Sequence, residues 1–382
     1  LDVGPSPSLD EEALELAREA LGALDPAPSA LRSRLLMLVA VQLYWSPHVD
    51  ERFAVAQEAT DMARAIGDAE SLSYVLSRVW TVIDPRKPNA AEIGRAAEEV
   101  LDLAEPGTAM HLAALENLCA SSAIRGDTGA ALAYLDRYRQ DATEARLAHS
   151  IWRSMVTSSS LATHLGDAAR AEAEATEALT YAQEHGIGDA ALGSFGGVLY
   201  NVRRAQGRSH ELMPLLSGLV ESEPHLPVWR AALAGAAYFA GELDVVRQQF
   251  EWLVADDFGR LPDDVEYPVT MCALGRLAPS VDADADVCRS IYDALAPLAG
   301  LMNYTGTSIS DANDIGLACA ANQMGRYDVA DGHFANAIAF ADRASALPYA
   351  LHYRYEWARA LVDRGAPCLL YTSDAADDSV YV

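Results

Sequence analysis

The stretch Leu317–Ala344 reads LACAANQMGRYDVADGHFANAIAFADRA and decides the fold. A first helix runs to Met324, Gly325 breaks it, and Arg326-Tyr327 turn into a second helix. Counted from the glycine, Ala330, Phe334 and Ala337 stand at plus five, plus nine and plus twelve. Those offsets place small or apolar side chains on one face of the second helix. A helix end favours a left-handed residue, which glycine adopts at least cost.

Moving outward, the pattern recurs. Gly126 is followed by Ala131, Leu135 and Tyr138; Gly166 by Ala171, Ala175 and Ala178. Gly207 is followed by Leu212, Leu216 and Leu219; Gly241 by Val246, Phe250 and Leu253. The spacings are 40, 41 and 34 residues, and Gly365 follows Gly325 by another 40. Between Gly241 and Gly325 one corner has lost its glycine, near Val281-Asp282. A period near 40 with two helices per unit is the mark of an α-solenoid. The spacing therefore predicts an all-α superhelix of about eighteen helices in pairs.

The predicted helices begin with Leu9–Leu24, capped by Ser8 with Glu11. They continue at 29–46, 50–66, 69–83, 89–104, 108–125, 128–144, 147–165, 168–185, 189–206 and 209–222. The last are 228–240, 242–255, 264–279, 284–298, 311–324, 327–344 and 348–364, with no strand. The longest polar gap, GLMNYTGTSIS at 300–310, is read as a loop and as a possible binding insertion.

Composition narrows the function. Of 382 residues, 51% are hydrophobic, the mean hydropathy is +0.02, and no apolar run is long enough to span a membrane. No secretory signal is visible, and a cytoplasmic location is expected. The five cysteines are scattered, none as CxxC, and read as small buried apolar groups. A net charge of −27 repels nucleic acid. Lys87 is the only lysine and sits in Asp84-Pro85-Arg86-Lys87-Pro88, without the glycine cradle of a phosphate loop.

Catalytic and metal motifs fail on inspection. Asp282-Ala-Asp284-Ala-Asp286 imitates a calcium loop but has Val287 at position six and Asp293 at position twelve. His352 and Glu356 lack a second ligand cluster. Gly193-Ser-Phe-Gly196-Gly197 and Ser158-Ser159-Ser160 fall inside helices, away from a strand or nucleophile elbow. No cofactor, no metal and no catalytic constellation is expected.

Surface remains. The first helix of each pair usually lines the concave face of such a solenoid. Trp152, Arg153, Tyr200, Arg203, Trp229 and Arg230 lie on those helices, and Tyr304 lies in the polar gap. Aromatic and arginine residues are enriched at binding hot spots, which makes these seven the candidate partner or ligand surface.

The glycine-corner units, above all Leu317–Ala344 and LATHLGDAARAEAEATEALTYA (Leu161–Ala182), resemble tetratricopeptide repeats. Leu317, Gly325, Tyr327, Ala330, Phe334 and Ala337 match that repeat's positions, while the usual aromatic at the start of its first helix is missing. The segments EATDMARAIGDAESLSYVLSRVW (Glu58–Trp80), VRRAQGRSHELMPLL (Val202–Leu216) and YEWARALVDRGAP (Tyr355–Pro367) resemble the repeat region of actinobacterial LuxR-type and MalT-like signalling ATPases and related adenylate cyclases. The resemblance covers about 1–367 and implies a non-catalytic sensor and scaffold region. Its partner would be an effector, or a protein or peptide, on the concave face, with an ATPase module elsewhere in the same full-length chain. A free-standing repeat adaptor and an enzyme with dispersed site residues are the alternatives. Residues 368–382, which begin CLLYTSDAADD, resemble a translated sequencing adapter. Together with Leu1 in place of Met, this leads to the expectation of a fragment truncated at both ends.

Overall fold

The computed structural model describes residues 10–46, 48–188, 190–224 and 226–365. Their architecture is all-α, in antiparallel helix pairs. The helices are α1 (Glu11–Ala23), α2 (Ala30–Gln42), α3 (Val49–Ile66), α4 (Ala69–Leu76), α5 (Ala90–Leu103) and α6 (Ala109–Ile124). Then come α7 (Thr128–Ala145), α8 (Ala148–His164), α9 (Ala168–Glu184), α10 (Ala190–Ala205), α11 (Met213–Ser222) and α12 (Pro227–Ala240). The last are α13 (Leu243–Val254), α14 (Glu266–Leu277), α15 (Ala285–Leu295), α16 (Asn313–Gln323), α17 (Tyr327–Arg343) and α18 (Leu347–Asp363). The expected count of eighteen is met. The 368–382 segment and the Ser8 cap lie outside the described residues; Asp10 caps α1 by accepting from the Ala13 amide.

The corners show why the pattern exists. Gly126, Gly166, Gly207, Gly241 and Gly325 all have φ between 70° and 89°. Asp127 and Asp167 then cap the following helices through their side chains. Gly67-Asp68 makes the same corner nearer the start, before α4. At the corner without a glycine, Asp282 takes the left-handed conformation itself, at φ 53°. Every plus-five, plus-nine and plus-twelve residue after the five glycines is buried except Leu219, which is half-buried. The pattern is therefore the packing seam of each pair.

Successive first helices also pack on one another, α6 on α8, α8 on α10, α12 on α14, and α14 on α16. The α14–α16 crossing is close: a methyl on Gly275 would stand 2.9 Å from the Gly316 Cα. The superhelix then returns on itself. Thr128 Oγ1 donates to the Ala344 carbonyl at 2.6 Å, and Phe340 packs on Gly126. Near the other end, Arg52 donates to the Asp263 carbonyl at 2.8 Å and the Val265 amide to Tyr44 Oη at 3.2 Å.

Two expectations need correction. The predicted helix 69–83 ends at Leu76 and is followed by a short 3-10 turn at Val79–Thr81. The expected loop at 300–310 is a two-stranded antiparallel hairpin, β1 (Met302–Tyr304) and β2 (Ile309–Ala312). Both strands are wholly buried. Burial on both faces removes the polar–apolar alternation that would have revealed a strand.

Candidate functional site

The hairpin is seated among the helices, with both strands buried. A buried strand edge needs partners for its backbone groups, and distant helices supply them. Ser160 Oγ accepts from the Ile309 amide at 2.8 Å, and Tyr353 Oη from the Ala312 amide at 2.7 Å. Tyr349 Oη donates to the Ile309 carbonyl at 3.0 Å. The serine run 158–160 thus serves packing: Ser159 Oγ donates to the Ala171 carbonyl at 2.6 Å.

Between hairpin and helices lies a cavity of about 440 Å³. That is within the ~300–1,000 Å³ of small-molecule pockets. Its walls come from the first helices α6, α8, α10, α12 and α14, from the hairpin, and from the segment leading into α14. Trp80, Trp152, Tyr200, Trp229, Tyr267 and Tyr304 give it an aromatic lining. Trp80 meets Tyr304 edge-on, with ring centroids 5.3 Å apart.

One polar part of the lining sets two arginines on one carboxylate. Arg204 donates twice to Asp311, at 2.7 Å each, and Arg276 Nε stands 3.9 Å from the same carboxylate. Burial works to raise the Asp311 pKa, yet Arg204 and Arg276 outweigh it and hold the carboxyl well below its ordinary value. His352 is lowered well below its ordinary value by burial and by the same two arginines, so its neutral Nε2 accepts from Arg276 Nη1 at 3.0 Å. Arg153 is paired with Glu116, Nε to Oε1 at 2.7 Å, and also donates to the Gly306 carbonyl.

The lining also includes Asp264 and Glu266. Among the described residues neither forms an ion pair. Glu266 occupies the first turn of α14, and its Oε2 is sealed from solvent with no hydrogen-bond partner. Burial, then the Asp264 charge, push its pKa up to about 8. Burial also pushes Asp264 up to about 6, opposed by the Glu266 amide that donates to it at 2.8 Å and by Arg52. Both carboxyls are therefore easier to protonate than free ones, Glu266 the more so.

Of the seven residues singled out in the sequence, Trp152, Arg153, Tyr200, Trp229 and Tyr304 line the cavity. Trp152 and Tyr304 are buried, so they face the interior and not an open groove. Arg203 and Arg230 point elsewhere. Arg203 donates to Glu172 at 2.6 Å; Arg230 lies over the Trp252 ring at 4.1 Å and donates to Gln249 at 2.9 Å. The arginine that enters the cavity from α10 is the neighbouring Arg204. Sequence reasoning missed Arg204, Asp311, Arg276, Asp264 and Glu266. The only available signal was their helical position: Arg204 is one residue, about 100°, from Arg203. Nothing local in the sequence links Arg204 to Asp311, 107 positions away.

Among the described residues no group of His, Cys, Asp and Glu could hold a metal ion, and no helix is long and apolar enough to cross a membrane. The four described cysteines, Cys119, Cys272, Cys288 and Cys319, are free and buried. No family model and no curated protein matches the chain.

Proposed function

We propose that this helical-repeat region is a non-catalytic sensor that binds a small effector in the cavity around the 302–312 hairpin. In this reading it restrains an ATPase module in the same full-length chain, as in the signalling ATPases its repeats resemble. The observation that carries the reading is the cavity itself: about 440 Å³, aromatic-lined, and walled by the first helices of five pairs. A peptide adaptor needs an extended open groove, whereas hairpin residues form part of the wall of this cavity. A ligand touching five helix pairs and the hairpin would also bias how the repeats stack, which is the property a sensor requires.

The experiment is a thermal-shift screen of a small-molecule library against the chain and against Ala113→Trp. Ala113 lines the cavity from α6, and tryptophan there fills it. Hits that stabilise the first protein and not the second support the reading; at a hundred times Kd the effect is about 2.7 kcal/mol. Hits that shift both equally contradict it. Sequencing the gene through both ends tests the output half: a phosphate-loop ATPase upstream supports it, and a start codon just before Leu1 with a stop soon after Pro367 contradicts it.

One observation favours a second reading. Asp264 and Glu266 face one cavity with raised pKa values, as a general acid–base pair would. Turnover of a cavity ligand that Glu266→Gln abolishes with KM unchanged would select the enzyme.

A further inference from the structure

Away from the cavity, three helices bring a tyrosine, a histidine and an aspartate into line. Tyr292 is on α15, Asp314 in the first turn of α16 and His333 on α17. His333 Nδ1 stands 2.8 Å from Asp314 Oδ1, and its Nε2 stands 3.1 Å from Tyr292 Oη. A carboxylate only accepts, so the Nδ1 proton faces Asp314 and Nε2 is left to accept from the tyrosine hydroxyl. Asp314 is itself fixed: it is buried, and its Oδ2 accepts from the Gly300 amide at 2.6 Å. Nucleophile, base and orienting carboxylate in that order are the arrangement that activates a hydroxyl. Tyr292 and His333 are both partly exposed, so the line ends near the surface. The Arg326 guanidinium lies over the Tyr292 ring at 4.8 Å, and among the described residues it forms no ion pair. A cation without a counter-charge beside an activated hydroxyl suits an anionic donor.

We propose that Tyr292 is a phosphoryl-accepting site, with His333 as its base and Arg326 as the group that holds the incoming phosphoryl oxygens. The donor is an anhydride of phosphate, such as a nucleoside triphosphate. The tyrosine oxygen forms a bond to phosphorus, and the bond from phosphorus to the donor's bridging oxygen breaks. The leaving group keeps that electron pair, and the phenolic proton passes to His333 Nε2 and on to solvent. The phosphate then takes charge-assisted hydrogen bonds from Arg326. The hydrogen bond from Tyr292 to His333 is lost in the step. His333 is held by Asp314, and Asp314 holds Gly300 at the neck of the 302–312 hairpin, so the modification reaches the hairpin through two side chains. Other tyrosines are better exposed but lack the base. Tyr327 and Tyr355 are 46% and 58% exposed, and among the described residues neither hydroxyl bonds to a histidine. Tyr327 even lies under a guanidinium, that of Arg364 at 5.0 Å, which makes it the control for the cation alone.

The test is covalent labelling of the whole chain, read by mass spectrometry at each tyrosine. Diisopropyl fluorophosphate loses fluoride as its phosphorus joins the tyrosine oxygen, and it carries no charge for an arginine to attract. Tyr292 is expected to label at least about tenfold faster than Tyr327 and Tyr355, since a positioned base is worth that much or more. His333→Gln is expected to slow Tyr292 about tenfold and to leave Tyr327, on the same helix, within about twofold, which also shows that the variant is folded. Acetyl phosphate can transfer either its acetyl or its phosphoryl group. It is expected to leave phosphate on Tyr292, and Arg326→Gln to slow that transfer about tenfold while fluorophosphate labelling stays within about twofold. Labelling of Tyr292 no faster than Tyr327, or unchanged in His333→Gln, overturns the proposal and leaves the three side chains a structural network. Acetyl in place of phosphate on Tyr292, or no transfer from acetyl phosphate, overturns the phosphoryl assignment. Either result leaves the effector-binding reading of the cavity untouched.

Discussion

At Glu266 the chain holds a carboxyl that is more easily protonated folded than unfolded. An acid with a raised folded pKa binds more protons in the folded state at intermediate pH. Its contribution is therefore most favourable below about 4.5, the ordinary value, and declines as pH rises towards about 8. Unfolding free energy measured by urea titration should fall across that window, by an amount on the order of a few kcal/mol. Glu266→Gln should flatten the slope. A parent chain whose stability does not change between pH 5 and 8 would contradict this. Asp311 behaves oppositely. Its carboxyl is lowered, so its contribution is present above the ordinary value of 3.8 and is lost as pH falls below it. Asp311→Asn leaves Arg204 and Arg276 buried with no counter-charge and should cost about 3–5 kcal/mol. A cost under 1 kcal/mol would show that the pair is solvated.

Among the elements, the helix corners were legible and the hairpin was not. Gly325 and its seam residues Ala330, Phe334 and Ala337 carry both the turn and the buried face within thirteen residues. Local chemistry is enough there. The hairpin strands are three and four residues long and buried on both sides, so no periodicity survives. Their polar groups are satisfied by Ser160, Tyr349 and Tyr353, residues no window around 300–312 contains. The candidate surface was legible by residue type and helix, which brought Trp229 and Arg153 to the cavity wall. It failed on facing, which chose Arg203 over Arg204. The corners make their own prediction. Ser345 is exposed and left-handed at φ 56° in the α17–α18 turn. Ser345→Gly should stabilise by about 0.5–1 kcal/mol, since glycine takes that conformation without strain. Destabilisation in a thermal melt would mean that the Ser345 backbone is not held there.

For the molecule as a whole, closure matters more than repetition. An open solenoid is stabilised by neighbouring repeats alone, and distant repeats can unfold separately. Here α17 and α18 return to α7–α9, through Thr128 on Ala344 and Phe340 on Gly126, and the hairpin ties α8 and α18 to the centre. Thr128→Val should cost about 1–2 kcal/mol while unfolding stays a single transition. Two separated transitions in the parent chain would mean that the ends are energetically independent. The central claim is that the 302–312 hairpin is the buried hub around which the repeats and the cavity are arranged. Amide hydrogen exchange of the whole chain, read at Ile309 and Ala312, tests it most directly. The account predicts that both amides exchange as slowly as the buried seams of α14 and α16, through global opening only. Exchange within seconds, at the rate of a solvated loop, would contradict it.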